Sequence, residues 1–477
     1  MAEAASWNRR EGRARQLSRS PPERHAGARP PTQAPLDARR RGVAGCTRPR
    51  ALSPEHKASD PPWRKDRSFA CSLPGRMNLR IQLRTHGGLS ETLDNKTSEQ
   101  MFPKGVEMDQ RLARYEEFMK SEFFAGLLKP TEYSIEDLTP ALTERITEGS
   151  FRRIVFVGMG CSAIVSDVLR GYFNEIGSPI DVFVLNDYEV KFLLPPSALE
   201  GDNTLFVVSS YSGNSDEPLL ALDELTGRED QTLILTSGSQ LAEAGKNRGI
   251  SIAHWRLAEA DREYPLFHVP QYFAILLHMF HHLGFLPSDG TQDLQAVFNQ
   301  LTDSELMGRW DDVDRIARDT QDANIILLGS PKWHESLFKL GKMHFNEMAM
   351  APTTRNLFHE FCHSEVATLS EPARRHCILL FSDDSEDQYT KDKMDNLIQT
   401  LAADCDKNRN VAVENIELPG QDFLTQFFWA LNLIQLISLK LGRYYSTASR
   451  DLISETSGNG YYHSETIDRE QKIHAME

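Results

Sequence analysis

Hydrophobic and polar positions change rhythm twice along the chain. From Arg152 onward, short runs rich in β-branched residues, "RRIVFVG", "PIDVFVLN", "NTLFVVSS", "QTLILTSG" and "GISIAHWRL", alternate with helically spaced segments. That alternation predicts the strands of a parallel, doubly wound sheet with helices on its faces. An apolar helix around Tyr272 to Leu286 closes this first unit near Pro287. A second alternation then runs through "NIILLGS", a long helix from Pro331, "RHCILLFSDD", a helix around Lys391 to Ala403, "NVAVENIELPG" and an apolar helix from Phe423. The expected fold class is α/β, with two tandem doubly wound parallel-sheet domains over 108–290 and 291–477. Just ahead of the first sheet, "MDQRLARYEEFMKSEFFAGLL" has helical spacing, and "YSIEDLTPALTERITEGSF" is expected to continue as helix and turn.

The opening of the chain follows neither rhythm. "NRREGRARQLSRSPPERHAGARPPTQAPLDARRRGVAGCTRPR" is rich in Arg and Pro and poor in large apolar residues, so it cannot bury enough surface to offset its chain entropy. A disordered extension over 1–107 is expected. Residues 1–76 hold 17 Lys/Arg against 7 Asp/Glu, so a chain of net charge -15 carries -25 on the remainder. That balance argues against nucleic acid or an anionic membrane as partner of the folded part. The two most apolar stretches are broken by His, Asn, Gln or Lys and read as buried helices. Six cysteines without a C-x-x-C pair or regular spacing indicate neither a disulfide framework nor a zinc ribbon, which suits a reducing, cytoplasmic setting.

In open α/β sheets ligands bind outside the carboxyl ends of the strands, so the loops there carry the chemistry. The first strand ends in "GMGCSAIVSDVL", where Gly158 and Gly160 precede Ser162 at the start of a helix, a place where N–H groups favour an anion. The alternatives are an ordinary strand-to-helix turn, or a nicotinamide site in which Asp187 after the second strand would hold the ribose. The third strand ends in "SSYSGNSDEPLLAL", where Ser210, Ser212 and Ser215 surround Gly213 and Asn214. Three hydroxyls and a glycine suit phosphate oxygens; an N-cap turn would use the same residues.

Two further stretches carry ionisable groups. On the helix from Pro331, Trp333, Leu337, Leu340 and His344 mark a buried stripe, and Glu347 falls on the same face. Partial burial there would raise its carboxyl toward a usable base; a solvated Glu at a helix end is the alternative. "LFHEFCHSEV" spells His359-Glu360-x-x-His363, the pattern of a zinc-hydrolase helix. His278, His281 and His282 have helical spacing but no acidic or Cys companion, so helix-packing or surface histidines are expected.

"SYSGNS" closely resembles the Ser-x-Ser-Gly-x-Ser/Thr signature of sugar isomerase (SIS) domains, and "VGMGCSAIVSDVL" resembles the Gly-Met-Gly-Gly-Ser-Ala loop of the bifunctional phosphoglucose/phosphomannose isomerase branch. "FNEMAMAP" and "FHEFCHSEV" resemble that branch's base-bearing and histidine-bearing segments. The resemblance, over about Met108 to Arg443, implies two tandem SIS-type domains and a phosphohexose aldose–ketose isomerase. It would interconvert fructose 6-phosphate with glucose 6-phosphate or mannose 6-phosphate through an enediol, without metal or cofactor. It further implies Glu347 as base, His363 as ring-opening group donated across a homodimer interface, Arg262 as enediolate-steadying cation and Lys472 as the C-terminal lysine. Gly160, Ser162, Ser210, Ser212 and Ser215 would bind the phosphate. Cys161 replaces a family glycine, and Cys362 and Ser364 replace the asparagines flanking the histidine. A phosphosugar sensor without turnover and a zinc hydrolase remain the alternatives.

Overall fold

A computed structural model describes residues 106–447, apart from 195, 200, 259–264, 304–310 and 404–409. The extension expected to be disordered lies outside the described residues except for its last two, Val106 and Glu107, which begin a helix. That helix, α1 (Val106–Ser121), leads through a 3-10 turn to β1 (Glu132–Asp137) and α2 (Pro140–Thr147). The helix and turn expected at the start of "YSIEDL" is therefore a strand. β1 runs antiparallel to the last strand of the first sheet, pairing Tyr133 with Trp255, and its partly buried Tyr133 and Ile135 pack on the core.

The first sheet continues with β2 (Arg153–Gly158), α3 (Gly160–Glu175), β3 (Asp181–Asn186), β4 (Thr204–Ser210), α4 (Asp216–Glu224), β5 (Thr232–Thr236), α5 (Ser239–Arg248) and β6 (Ser251–Arg256). Its six strands lie in the order β1-β6-β5-β4-β2-β3, and all neighbours after β1 are parallel. β2 and β4 are buried almost throughout, which is why they read as near-continuous apolar runs. Because β2 pairs with β3 on one side and β4 on the other, the winding reverses between β2 and β4. A crevice opens there at the strands' carboxyl ends.

Helices α6 (Val269–His282), α7 (Thr291–Leu301) and α8 (Asp311–Asp319) connect to a second sheet of β7 (Asn324–Gly329), β8 (Thr353–Leu357), β9 (His376–Ser382) and β10 (Val411–Glu417). Its order is β10-β9-β7-β8, all parallel. Between β7 and β8, the long helix expected from Pro331 is present but interrupted. One turn, Pro331–Trp333, and a π-helical turn, His334–Phe338, precede α9 (Lys339–Met348). After β8 come α10 (Phe358–His363), α11 (Gln388–Ala403) following β9, and α12 (Phe423–Tyr444).

One apolar cluster runs through both sheets, from Ile154 and Phe156 on β2 to Ile325 and Leu327 on β7, and α12 fills the space between them. Helix α12 is long and apolar enough to cross a membrane, yet 94% of its most apolar window is buried inside the fold. Its polar residues have inward partners. Asn432 donates to the Met119 carbonyl at 2.8 Å, and Gln435 donates to the Leu266 carbonyl at 3.0 Å. A helix with such contacts belongs to a protein core.

Candidate active site

The crevice between β2 and β4 is lined by two helix starts that no side chain caps. Helix α3 follows Met159 and α4 follows Ser215, and neither preceding side chain accepts a bond from its own helix. The dipoles of both helices put their positive ends at this place, and α4 carries Asp216 and Glu217 in its first turn. The loops are tied together there, since the Tyr211 N–H donates to Ser162 Oγ at 3.2 Å. Within the β4–α4 loop, Ser210 Oγ accepts from the Gly213 N–H at 3.2 Å and donates to Ser215 Oγ at 3.3 Å. Ser212 is exposed and accepts from the Asn214 N–H at 3.3 Å.

Two glycines make this geometry possible. Gly213 has φ +70, and a Cβ there would stand 2.0 Å from the Gly238 carbonyl oxygen. Gly160 has φ +51 at the first turn of α3, and a Cβ there would meet the Met343 Sδ-methyl at 3.8 Å. Met343 lies one helical turn before Glu347 on α9, so that contact brings α9 onto the first turn of α3.

Glu347 is largely withdrawn from water, and burial pushes its carboxyl from the usual 4.5 up to about 7. Cys161, on the first turn of α3, is its neighbour. Burial first, and the Glu347 charge second, push the Cys161 thiol up to about 12. The residue that replaces the glycine expected in this loop therefore lies beside the carboxylate. Two elements from different sheets meet here: a hydroxyl-rich, N–H-rich cradle from the first and a carboxyl near neutral pKa from the second.

The structure brings together Gly160, Ser162, Ser210, Ser215 and Glu347, with Ser212 on the open side of the loop. His363 ends α10 and is exposed. Arg262 and Lys472 lie outside the described residues. In the zinc-type pattern, His359 and His363 do share helix α10, but His359 Nε2 is within 3.1 Å of the Thr390 hydroxyl and its ring stacks on Tyr389 at 5.4 Å. Among the described residues no three His, Cys, Asp or Glu side chains gather as a metal-binding group. Of the histidine group on α6, the exposed His282 has Nδ1 3.3 Å from the Tyr133 hydroxyl, and the half-buried His281 has Nδ1 3.1 Å from the Leu286 carbonyl.

Sequence reasoning passed over Tyr272 and Ser209. The Tyr272 hydroxyl lies 3.2 Å from Ser209 Oγ beneath the cradle, and its ring stacks on Trp255 at 4.1 Å. A phenol placed inside an otherwise apolar run was the available signal, because a buried Tyr needs a partner for its hydroxyl.

Comparison with known proteins fits this geometry. A bifunctional phosphoglucose/phosphomannose isomerase from Thermoplasma acidophilum is 24% identical over 306 residues, 64% of this chain and 87% of the relative. One of the same description from Aquifex aeolicus is 24% identical over 317 residues, 66% of this chain and 89% of the relative. The solved structure of tagatose-6-phosphate ketose/aldose isomerase from Escherichia coli superposes with a TM-score of 0.51 at 14% identity, covering 74% of this chain and 98% of that one, a likeness of fold. Residues 311–449 match the family described as the bacterial phospho-glucose isomerase C-terminal SIS domain. That stretch holds β7 to β10 and Glu347, so the similarity to this SIS-domain family covers the second sheet.

Proposed function

We propose that the protein is a phosphohexose aldose–ketose isomerase, interconverting fructose 6-phosphate with glucose 6-phosphate, mannose 6-phosphate or both. The observation that carries this reading is the placement of Glu347, its carboxyl near 7, beside Cys161 on the first turn of α3, whose Ser162 is tied to the Ser210–Ser215 loop through Tyr211. Relatives named bifunctional phosphoglucose/phosphomannose isomerases support it. Phosphate oxygens take the N–H groups of α3 and α4 and the serine hydroxyls, which anchors C6. The open-chain sugar then extends toward α9. The Glu347 carboxylate removes a proton from C1 of the ketose or C2 of the aldose, the electron pair forms the enediol, and the same carboxyl returns the proton to the neighbouring carbon. A base with a pKa near 7 suits both halves of that cycle at neutral pH, because it is neither locked as carboxylate nor as acid.

Ring opening needs a second acid/base, which is assigned to His363. Its exposed position at the end of α10 supports its contribution to a neighbouring copy in a homodimer. The cations that steady the enediolate are assigned to Arg262 and Lys472 on the resemblance of their segments. The working setting is the cytoplasm.

The test follows fructose 6-phosphate in deuterated water by NMR, with a chelator present. Glucose or mannose 6-phosphate carrying deuterium at C2, lost in Glu347→Gln, is the expected result. Saturable phosphosugar binding with no turnover would sink the isomerase reading. For the shared site, mixing Glu347→Gln with His363→Ala protein should recover activity that neither has alone; no recovery after subunit exchange would refute donation across an interface.

A further inference from the structure

The carboxyl ends of two helices meet one residue beyond Glu347. Helix α9 ends at Met348 and α12 at Tyr444. The approach is close because Gly442 has no side chain: a Cβ there would stand 2.6 Å from the Met348 carbonyl oxygen. Carbonyls in the last turn of a helix have no partner within it, and two such turns facing each other bring like partial charges together. On α12 the Leu441 and Arg443 carbonyls accept from the Tyr445 and Ser446 N–H groups at 2.8 and 3.1 Å. Ser446 then turns the chain back with φ +53, in the left-handed region. Thr447 follows and is buried, at 5% exposure. Its hydroxyl lies 2.8 Å from the Met348 carbonyl oxygen and 3.2 Å from that of Gly442.

A carbonyl accepts and cannot donate, so the direction of this contact is fixed. The one Thr447 proton serves two helix ends, with the shorter bond to Met348. On the α9 side, the Ala349 and Ala351 N–H groups both donate to the Phe345 carbonyl, at 3.2 and 3.1 Å, and Met350 breaks the helix at φ +51. Glu347 is thus in a last turn, which frays unless its carbonyls are held. We propose that Thr447, 99 residues beyond Met348 in the chain, is a positioning residue for Glu347: its hydroxyl joins the carboxyl ends of α9 and α12 and holds the turn that carries the carboxyl. The cradle serines take no part in this contact, so its effect falls on proton transfer and spares phosphate binding. This inference rests on Glu347 being the base of the proposed function.

Thr447→Val keeps the shape and removes the proton, whereas Thr447→Ser keeps the hydroxyl. For the full chain, kcat and KM for fructose 6-phosphate are compared with inorganic phosphate affinity by calorimetry and amide hydrogen exchange by mass spectrometry. In Thr447→Val, kcat should fall about tenfold, because a base that shifts loses its alignment with C1 and C2, while KM and phosphate affinity stay within about twofold. Exchange should quicken over the end of α9 and the turn after it, residues 346–351, and not in the strands of either sheet. Thr447→Ser should restore kcat and slow the exchange again. Gly442→Ala, which forces the same two ends apart, should reproduce the Thr447→Val changes. Wild-type kcat in Thr447→Val or Gly442→Ala would overturn the proposal, as would unchanged exchange over 346–351. Equal losses of kcat and phosphate affinity, with faster exchange throughout both sheets, would overturn it as well, since a general packing defect gives that pattern. A wild-type chain that turns over no hexose phosphate sinks the isomerase reading. In that event, exchange that quickens only over 346–351 still upholds the hold of Thr447 on the Glu347 turn, and exchange that does not quicken overturns it.

Discussion

Replacing Glu347 by Gln is expected to move activity and stability in opposite directions, and the pH dependence of each follows from the same burial. Raising the carboxyl from 4.5 to about 7 means that its ionised form is disfavoured in the folded chain by about 2–3 kcal/mol, at about 1.4 kcal/mol per tenfold change in acidity, with partial solvent access taking the lower end. Below about pH 4.5 the group is protonated in folded and unfolded chains alike, and its contribution to stability is fully present. As pH rises through about 7 the folded chain gives up a proton that the unfolded chain has already lost, and that contribution disappears. Glutamine has nearly the same shape and no such titration. Glu347→Gln should therefore be more stable than the wild type at pH 8, by about 2–3 kcal/mol, with the difference shrinking toward pH 5. Asp167, another buried carboxyl raised to about 7, is present in both proteins and cancels from the comparison. Wild-type kcat should rise with pH through about 7, as the carboxylate becomes the prevalent form. The assays are denaturant melts at pH 5.5 and 8 and kcat for fructose 6-phosphate across the same range. A variant less stable than the wild type at pH 8, or one that still exchanges deuterium into C2, would refute the argument that burial tunes this base.

Other changes should report on the cradle and its wall. Ser210→Ala removes a hydroxyl that ties Gly213 to Ser215, and should raise both KM and the inorganic phosphate dissociation constant about tenfold or more; unchanged phosphate affinity would remove Ser210 from the site. Gly213→Ala forces a Cβ to within 2.0 Å of a carbonyl oxygen at φ +70, so a loss of about 2 kcal/mol or more is expected, and a melting temperature equal to the wild type would contradict the tight turn. The Cys161 thiol, pushed up to about 12, should resist iodoacetamide in the native protein at pH 8 and react after unfolding. Rapid native labelling of Cys161, mapped by mass spectrometry, would contradict its placement beside Glu347.

Much of this fold could be read from residue order because the central parallel strands are buried on both faces and leave unbroken apolar runs, as in "RRIVFVG" and "HCILLFS". The strands that escaped notice sit at sheet edges. β8 reads "TTRNL", and its side chains alternate among buried, exposed and intermediate, so no apolar run marks it. β1 is short, antiparallel and mostly polar, held by pairing with β6 more than by composition. The serine loop announced itself because hydroxyls and glycine are unusual together at a strand end. The proximity of Cys161 to Glu347 could not be read this way, since it depends on packing between helices that belong to different sheets. Tyr272 and Ser209 were hidden for a similar reason: each looks like a stray polar atom until the fold brings the two hydroxyls to 3.2 Å.

Helix α12 has a consequence for how the protein is made. Synthesis runs from the amino terminus, so Phe423–Tyr444 emerges after both sheets and after α1, whose Met119 carbonyl it must meet through Asn432. Until then, the apolar surfaces that α12 covers on α1, α3 and α9 have no lid, and the nascent chain presents them to its surroundings. Ribosome-bound chains ending before Phe423 are thus the stage at which this protein most needs a chaperone. A truncation removing α12 should fail as a whole, with both sheets lost together, instead of leaving an intact first half.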